Sequence, residues 1–310
     1  MEMDHSANSK YLHPRLTAME ERAKAKGKLS VAVAYPCSVD SLAAALSARE
    51  KNVIEPVLVG PRAKIENCAA ALNSSLAGIE IIETKDDPVV ASRTAVALAS
   101  AGDVAALMKG SQHTDELLGA VVSREGNLRQ ARRISHVFWF DLPAYHKPLM
   151  LTDAVVNIAP KLEDKITILE NVIAFAHKID VSNPKIGLLS AVEYVNPNIA
   201  SSVDAGDLVD RANQGLFEKA MIDGPFGFDN AISKASAATK GITSPIAGDP
   251  DILMVPNLDV GNILYKSLVY LAGGECAGVI LGARVPIILT SRSDSQRARI
   301  ASCALAQLCS

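Results

Sequence analysis

The chain has 310 residues and a formal net charge of −3; 49% of its residues are hydrophobic but only 4% aromatic. That length holds one large domain or two ordinary ones, and a core poor in aromatics must be built from Ala, Val, Leu and Ile, which suits parallel α/β architecture. The weakly acidic balance gives no cationic field for nucleic acid, Arg284 interrupts the longest apolar run before it reaches membrane-spanning length, and five cysteines without metal-ligand spacing point to reduced thiols in a cytoplasm.

Residues 1–10 (MEMDHSANSK) read as a disordered tail; they contain acids and no apolar core, unlike a signal peptide. Residues 15–28 are charged and helical, and 29–35 (LSVAVAY) form the first buried strand. Pro36 and Cys37 break it, Ser38 caps a helix over 39–50, and 54–59 form the second strand. This is a βαβ unit, for which right-handed crossover makes a parallel sheet the default. Its turn carries neither GxGxxG nor a P-loop Gly-Lys-Ser/Thr. A strand at 79–83, a helix near 88–100 and a strand at 103–108 continue the alternation.

The next turn, Lys109-Gly110-Ser111-Gln112-His113-Thr114, lies at a strand's C-terminal end, where open α/β sheets place ligands. Lys109 and Ser111 are candidate phosphate contacts, and the alternative is a capped loop with a solvated lysine. Arg124, Arg129, Arg132 and Arg133 precede a strand at 134–140. Most are surface charges, and Arg133, one residue from the strand, is the candidate to face a cleft. His136, inside SHVFWF, reads as a hydrogen-bonded structural histidine.

Around residues 149–153 the chain leaves the first domain. A helix over 161–178 puts Leu162, Ile166, Leu169, Val172, Ile173 and Ala176 on one face. A strand at 186–190, a helix at 203–215, a strand at 252–255 and a helix at 259–272 make a second α/β domain. Asp153, Asn157, Glu193, Asp223, Asp229, Asn230, Asn257 and Asn262 read mostly as cap and turn residues. Cys276 reads as a small buried apolar side chain rather than a nucleophile.

The last stretch, Gly278–Arg299, runs from a buried strand at 285–289 through Thr290, Ser291, Arg292, Ser293 and Asp294 into a final helix. Ser293 or Asp294 is its expected cap, and Ala301, Ala304, Leu305 and Leu308 recur at helical spacing. A strand ending where a helix begins presents unpaired amides and a positive dipole end, to which Arg292 adds a permanent charge. This turn reads as the phosphate end of a site.

The segment GARVPIILTSRSDS (282–295) resembles a signature of the phosphate acetyltransferase/phosphate butyryltransferase family. So do KGSQHTDELLGAVV (109–122), TDAVVNIAP (152–160), LLSAVEYVNP (188–197), DGPFGFDNAIS (223–233) and DPDILMVPNLDVGN (249–262), in the same order, and the resemblance runs from about Leu29 to residue 310. It implies a two-domain isocitrate/isopropylmalate dehydrogenase-like α/β architecture with mainly parallel sheets and an interdomain cleft. Residues 1–150 and 279–310 are expected to form a discontinuous first domain and 151–278 the second, in a cytoplasmic homodimer.

The implied activity is reversible transfer of an acyl group between coenzyme A and inorganic phosphate. Acyl-CoA and phosphate are then the substrates, with no permanently bound cofactor, no metal, no nucleic acid and no membrane. Ser291 is assigned as oxyanion donor, Arg292 with the helix N-terminus as phosphate anchor, Asp294 as base and His113 as donor to the acyl oxygen. Lys109, Ser111, Arg284 and Arg133 are assigned to phosphate or coenzyme A. Direct thiol attack in a ternary complex requires no covalent enzyme intermediate.

Acetyl-specific relatives carry a helix-borne aspartate where this chain has Gln296-Arg297-Ala298, and arginines near Gly119 and Tyr270. TSRSDS is closer to the butyryl branch. Acetyl transfer is the first reading and butyryl transfer with longer chains the alternative. Two others remain: a metal- and NAD-dependent dehydrogenase of the same fold, which needs clustered carboxylates, and a non-catalytic acyl-CoA-binding protein.

Overall fold

The computed structural model describes residues 12–130, 132–289 and 294–310. The tail read over 1–10 and the roles assigned to Ser291 and Arg292 fall outside those residues. The chain forms two compact mixed α/β units: a split unit of residues 16–132 and 277–310, and a central unit of 133–276 joined by residues up to 15. Sequence alone placed the changes at 150/151 and 278/279. The earlier division after 132 follows from an antiparallel pairing that ties 137–140 to 149–152.

The split unit contains most of α1 (Pro14–Ala25), then β1 (Leu29–Ala34), α2 (Val39–Glu50), β2 (Ile54–Gly60), α3 (Arg62–Ala71), β3 (Glu80–Glu83), α4 (Pro88–Ala101), β4 (Ala106–Lys109) and α5 (Thr114–Val122). The central unit contains β5 (Ser135–Asp141), β6 (Leu149–Thr152), α6 (Leu162–Lys178), β7 (Lys185–Leu189), α7 (Ala200–Asn213), β8 (Met221–Phe226), α8 (Phe228–Ile232), α9 (Lys234–Thr239), β9 (Ile252–Met254) and α10 (Leu258–Tyr270). β10 (Glu275–Leu281) then leads back to the split unit, followed by β11 (Ile287–Ile288) and α11 (Gln296–Cys309).

In the split unit the strand order is β3-β2-β1-β4-β11-β10. All neighbours are parallel except β10, which runs antiparallel to β11. β1 is buried at every position but Ser30 and β4 at every position, as strands covered on both faces must be. Local chemistry sets the helix ends. Ser38 Oγ accepts from the Ser41 amide to cap α2, and Asp87 caps α4 with Pro88 at its first position and Gly102 at its left-handed C-terminus. α11 is buried from Ala298 through Cys309.

The central sheet is ordered β5-β6-β9-β7-β8, a β5–β6 antiparallel pair followed by parallel neighbours. Phe138, Phe140, Leu149, Leu253 and Cys276 belong to its apolar core, and the Tyr265 ring stacks on Phe138 at 4.2 Å. Charged groups fasten the N-terminal ends of the parallel strands: Lys147 to Asp251 at 2.6 Å, Lys185 to Asp249 at 2.6 Å, and the Lys185 amide to Asp251 at 2.8 Å. Burial opposes ionisation of Asp249, but hydrogen bonds from Lys185, Lys147 and His146 overcome it and hold the carboxyl well below the usual range. Among the described residues no helix is long and apolar enough to cross a membrane. No disulfide joins any of the five cysteines.

His136 departs from expectation. It is fully buried in β5, but among the described residues both ring nitrogens lack a hydrogen-bond partner, and the ring instead packs edge-on against Phe138. Desolvation pushes its pKa down from 6.5 to about 3. The unfolded chain therefore binds a proton that the folded chain refuses, and stability falls as pH drops from 6.5 towards about 3. His136→Leu removes this titration, so the urea midpoint should fall less steeply with pH over that window; an acid limb identical to the parent's would show that His136 does not contribute to it.

Candidate functional site

The split unit builds β1, β2 and β3 outward in one direction, then returns to place β4 and β11 on the other side of β1. Such a switch point opens a crevice at the C-terminal strand ends, because successive connections leave on opposite faces. The pairs Ala34↔Lys109 and Met108↔Ile288 set the ends of β1, β4 and β11 side by side. The loops 35–38 and 109–113 consequently leave one edge, beside the end of β11.

The first two loops are locked together through the backbone. The Gly110 amide donates to the Ala34 carbonyl at 2.9 Å, and the Ser111 amide donates to the Tyr35 carbonyl at 2.9 Å. A Cβ at position 110 would lie 2.2 Å from the Ala34 oxygen and 2.4 Å from the Tyr35 oxygen, so only glycine permits this approach. Tyr35 itself sits at φ 50°, a left-handed conformation unfavourable for a side chain of this size.

Lys109 is buried at the end of β4, its ammonium 3.4 Å from the Gly110 carbonyl. His113 is the exposed N-cap residue of α5, and its amide donates to Glu116 Oε2 at 2.6 Å. Asp294 is half-buried. The cap of α11 is Ser295, whose Oγ accepts from the Ala298 amide at 3.0 Å, rather than Ser293 or Asp294. Asp294 thus directly precedes the cap of α11. Strand order therefore puts Lys109 and His113 at the edge where β11 also ends.

Three assigned residues behave differently. The Ser111 hydroxyl donates to the Tyr35 carbonyl at 2.9 Å, so its proton holds the loop instead of facing an anion. Arg284 lies in the turn between β10 and β11. Because β11 runs parallel to β4, that turn is at the opposite end of the sheet from Lys109, and Arg284 donates to the Asn127 carbonyl at 3.1 Å. Arg133 belongs to the central unit, where its guanidinium donates to Asn157 and, at 3.0 Å, to Asp164.

A network that sequence reading did not find also occupies this edge. The Tyr35 hydroxyl donates to Asp86 Oδ1 at 2.6 Å, and Lys64 pairs with Asp86 Oδ2 at 2.7 Å. Desolvation and the bond to Asp86 raise the Tyr35 pKa. The position directly after a buried strand was the available signal. Cys37 in the same loop has its thiol pushed up to about 12, mainly by burial, which leaves it a poor nucleophile.

In the central unit, buried Asp153 accepts from the Val155 amide at 2.9 Å and the Val156 amide at 3.0 Å, while Asn257 caps α10 through the Val260 amide at 3.0 Å. Cys276 is buried in the apolar core. Among the described residues no group of three or more His, Cys, Asp or Glu side chains is placed to hold a metal ion.

The split unit is predominantly parallel, with buried Lys109 and the N-terminus of α5 at the C-terminal end of β4, the strand that lies next to β11. The family model for phosphate acetyl/butaryl transferase matches residues 89–307. A phosphate acetyltransferase of Rhizobium meliloti is 45% identical over 92% of this chain and 90% of its own length, and a phosphate butyryltransferase of Clostridium beijerinckii is 38% identical over 91% and 92%. The crystal structure of a branched-chain phosphotransacylase from Enterococcus faecalis V583 superimposes with a TM-score of 0.79 at 33% identity, covering 90% of this chain and 99% of that one. The chain belongs to the phosphate acetyl/butyryl transferase family.

If Ser111 fastens the loop, Ser111→Ala should lower stability by about 1 kcal/mol in urea unfolding while leaving the KM for phosphate within about twofold. A large rise in that KM with unchanged stability would return Ser111 to the ligand.

Proposed function

We propose that this protein is a phosphate acyltransferase that moves an acyl group reversibly between coenzyme A and inorganic phosphate, acetyl in preference to butyryl. The observation that carries this reading is the switch-point edge of the split unit, where buried Lys109 and the N-terminus of α5 lie at the end of β4, next to β11, in a chain of this family. The acetyl preference is supported by the higher identity to the acetyltransferase of Rhizobium meliloti than to the butyryltransferase of Clostridium beijerinckii.

In the proposed reaction the coenzyme A thiol loses its proton and its sulfur attacks the carbonyl carbon of the acyl phosphate. The C–O bond to phosphate breaks, and inorganic phosphate departs with the bonding pair. The thiol's ordinary pKa of about 8.5 leaves only a minor thiolate fraction at neutrality, so a base is useful. Asp294 is assigned that role. Ser291 is assigned to hydrogen-bond the carbonyl oxygen as it becomes negative, with His113 as a second donor. Arg292, Lys109 and the α11 amides are assigned to the phosphate. No cofactor is bound permanently, and the three-body geometry replaces a covalent intermediate.

A cytoplasmic homodimer completes the proposal. Apolar side chains left exposed on the central unit, Ile158, Tyr194, Val195, Tyr270 and Leu271, support an interface between copies.

Mixing the protein with acetyl-CoA and phosphate should release free thiol, faster than with butyryl-CoA; binding without thiol release would refute the activity. Ser291→Ala or Arg292→Ala should lower kcat roughly a hundredfold or more, and near-normal turnover would remove either residue from the mechanism. Asp294→Asn should abolish the acidic limb of the pH–rate profile, and its persistence would exclude Asp294 as the base.

A further inference from the structure

Tyr35 ends β1 in a way that regular pairing does not explain. A residue with extended backbone sends its N–H and its C=O to the same neighbouring strand. The Tyr35 amide donates to the Val59 carbonyl of β2 at 2.7 Å, so an extended Tyr35 would turn its own carbonyl to that side as well. Instead that carbonyl accepts from the Ser111 amide and the Ser111 hydroxyl, both at 2.9 Å, in the loop after β4 on the opposite side of β1. The left-handed turn at φ 50° makes the reversal. Two successive carbonyls, of Ala34 and Tyr35, consequently face the 109–113 loop, where regular alternation would supply one.

Glycine takes a left-handed φ freely, and an aromatic residue does not. Elsewhere among the described residues, positive φ outside glycine falls on Asn52, Asn73, Asn127, Asp180 and Lys219, none of them aromatic. Such a conformation persists only where the surroundings over-determine it, and here the side chain is held from outside. The phenol donates to Asp86 Oδ1 at 2.6 Å, and Lys64 donates to the phenol oxygen at 3.4 Å while pairing with Asp86 Oδ2 at 2.7 Å. Asp86 lies between β3 and α4, and Lys64 lies in α3. Tyr35 is therefore fastened by its hydroxyl to the loop after β3 and by its carbonyl to the loop after β4.

We propose that Tyr35 is a positioning residue for phosphate: its anchored side chain keeps the backbone left-handed, and the carbonyl so aimed holds the loop that carries Lys109 and His113. Its effect passes through that loop and not through contact with substrate, and Asp86 and Lys64 act through it in turn. The inference rests on the acyl transfer proposed above and on the assignment of Lys109 to phosphate.

Three variants test this. Tyr35→Ala keeps the unfavourable φ and loses the anchor, while Asp86→Ala removes the same anchor from an exposed position. Each should raise the KM for phosphate roughly tenfold and leave that for acetyl-CoA within about twofold of the parent. Tyr35→Gly deletes the ring but accepts the left-handed φ, so its KM for phosphate should return to within about threefold of the parent. Hydrogen exchange reads the lock without turnover: the Ser111 amide should exchange at least about tenfold faster in Tyr35→Ala and Asp86→Ala than in the parent or Tyr35→Gly. Equal KM losses in Tyr35→Ala and Tyr35→Gly, or none in any variant, would overturn the proposal, as would a Ser111 amide equally protected in all of them. Should Tyr35→Ala fail to fold, Asp86→Ala and Tyr35→Gly carry the comparison. Should the parent release no thiol from acetyl-CoA, the activity fails instead, and exchange at Ser111 still decides whether Tyr35 holds the loop.

Discussion

The contact on which the split unit depends is the near-touching approach of two backbones, Gly110 against the carbonyls of Ala34 and Tyr35. It closes the parallel pair β1–β4 at the sheet's switch point and fixes the departure angle of both loops. A side chain there would collide with peptide oxygens, which cannot rotate aside as a flexible side chain can. Lys109 is consequently held one residue before the lock, with its cation under the loops instead of in open solvent. Pairing with β4 then brings the end of β11 alongside the end of β4.

The two units divide labour along their strands in the same way. In the central unit the N-terminal strand ends carry the satisfied charges, with Lys147, Lys185, Asp249 and Asp251 pairing among themselves. The opposite ends carry loops shaped by side chains bonding to backbone, such as Asp153 to the amides of Val155 and Val156. Rigid fastening at one end lets the other be hollow without loosening the sheet. The cavity between α6, α7 and α10 is formed at that second end.

Strong periodicity made much of this legible from sequence. β1, the Ser38 cap, the amphipathic face of α6 and the polar turn after β4 all follow from patterns a few residues long. Pairing and direction were harder. The apolar run at 285–289 suggested a sizeable strand, yet only Ile287 and Ile288 pair there and the longer strand is Glu275–Leu281. Asp223-Gly224-Pro225 looked like a turn but lies inside β8. Arg284 shares a phrase with Asp294, but proximity along the chain says nothing about which end of a strand a residue occupies. His136 shows a different limit: composition marks it as polar, and only coordinates reveal that its ring is buried against Phe138 with no hydrogen-bond partner among the described residues.

The division of the split unit along the chain bears on how it is synthesised. β11 lies between β4 and β10, and α11 buries a nearly continuous series of side chains from Ala298 to Cys309. While a ribosome is still translating codons near 200, strands β1 to β4 have emerged without the pieces that cover one side of their sheet. Such an unfinished, apolar edge is the kind of surface that chaperones bind. The central unit needs nothing beyond residue 276, whereas the split unit also needs 277–310, so the central unit has all its residues before the split unit has its last strand and helix.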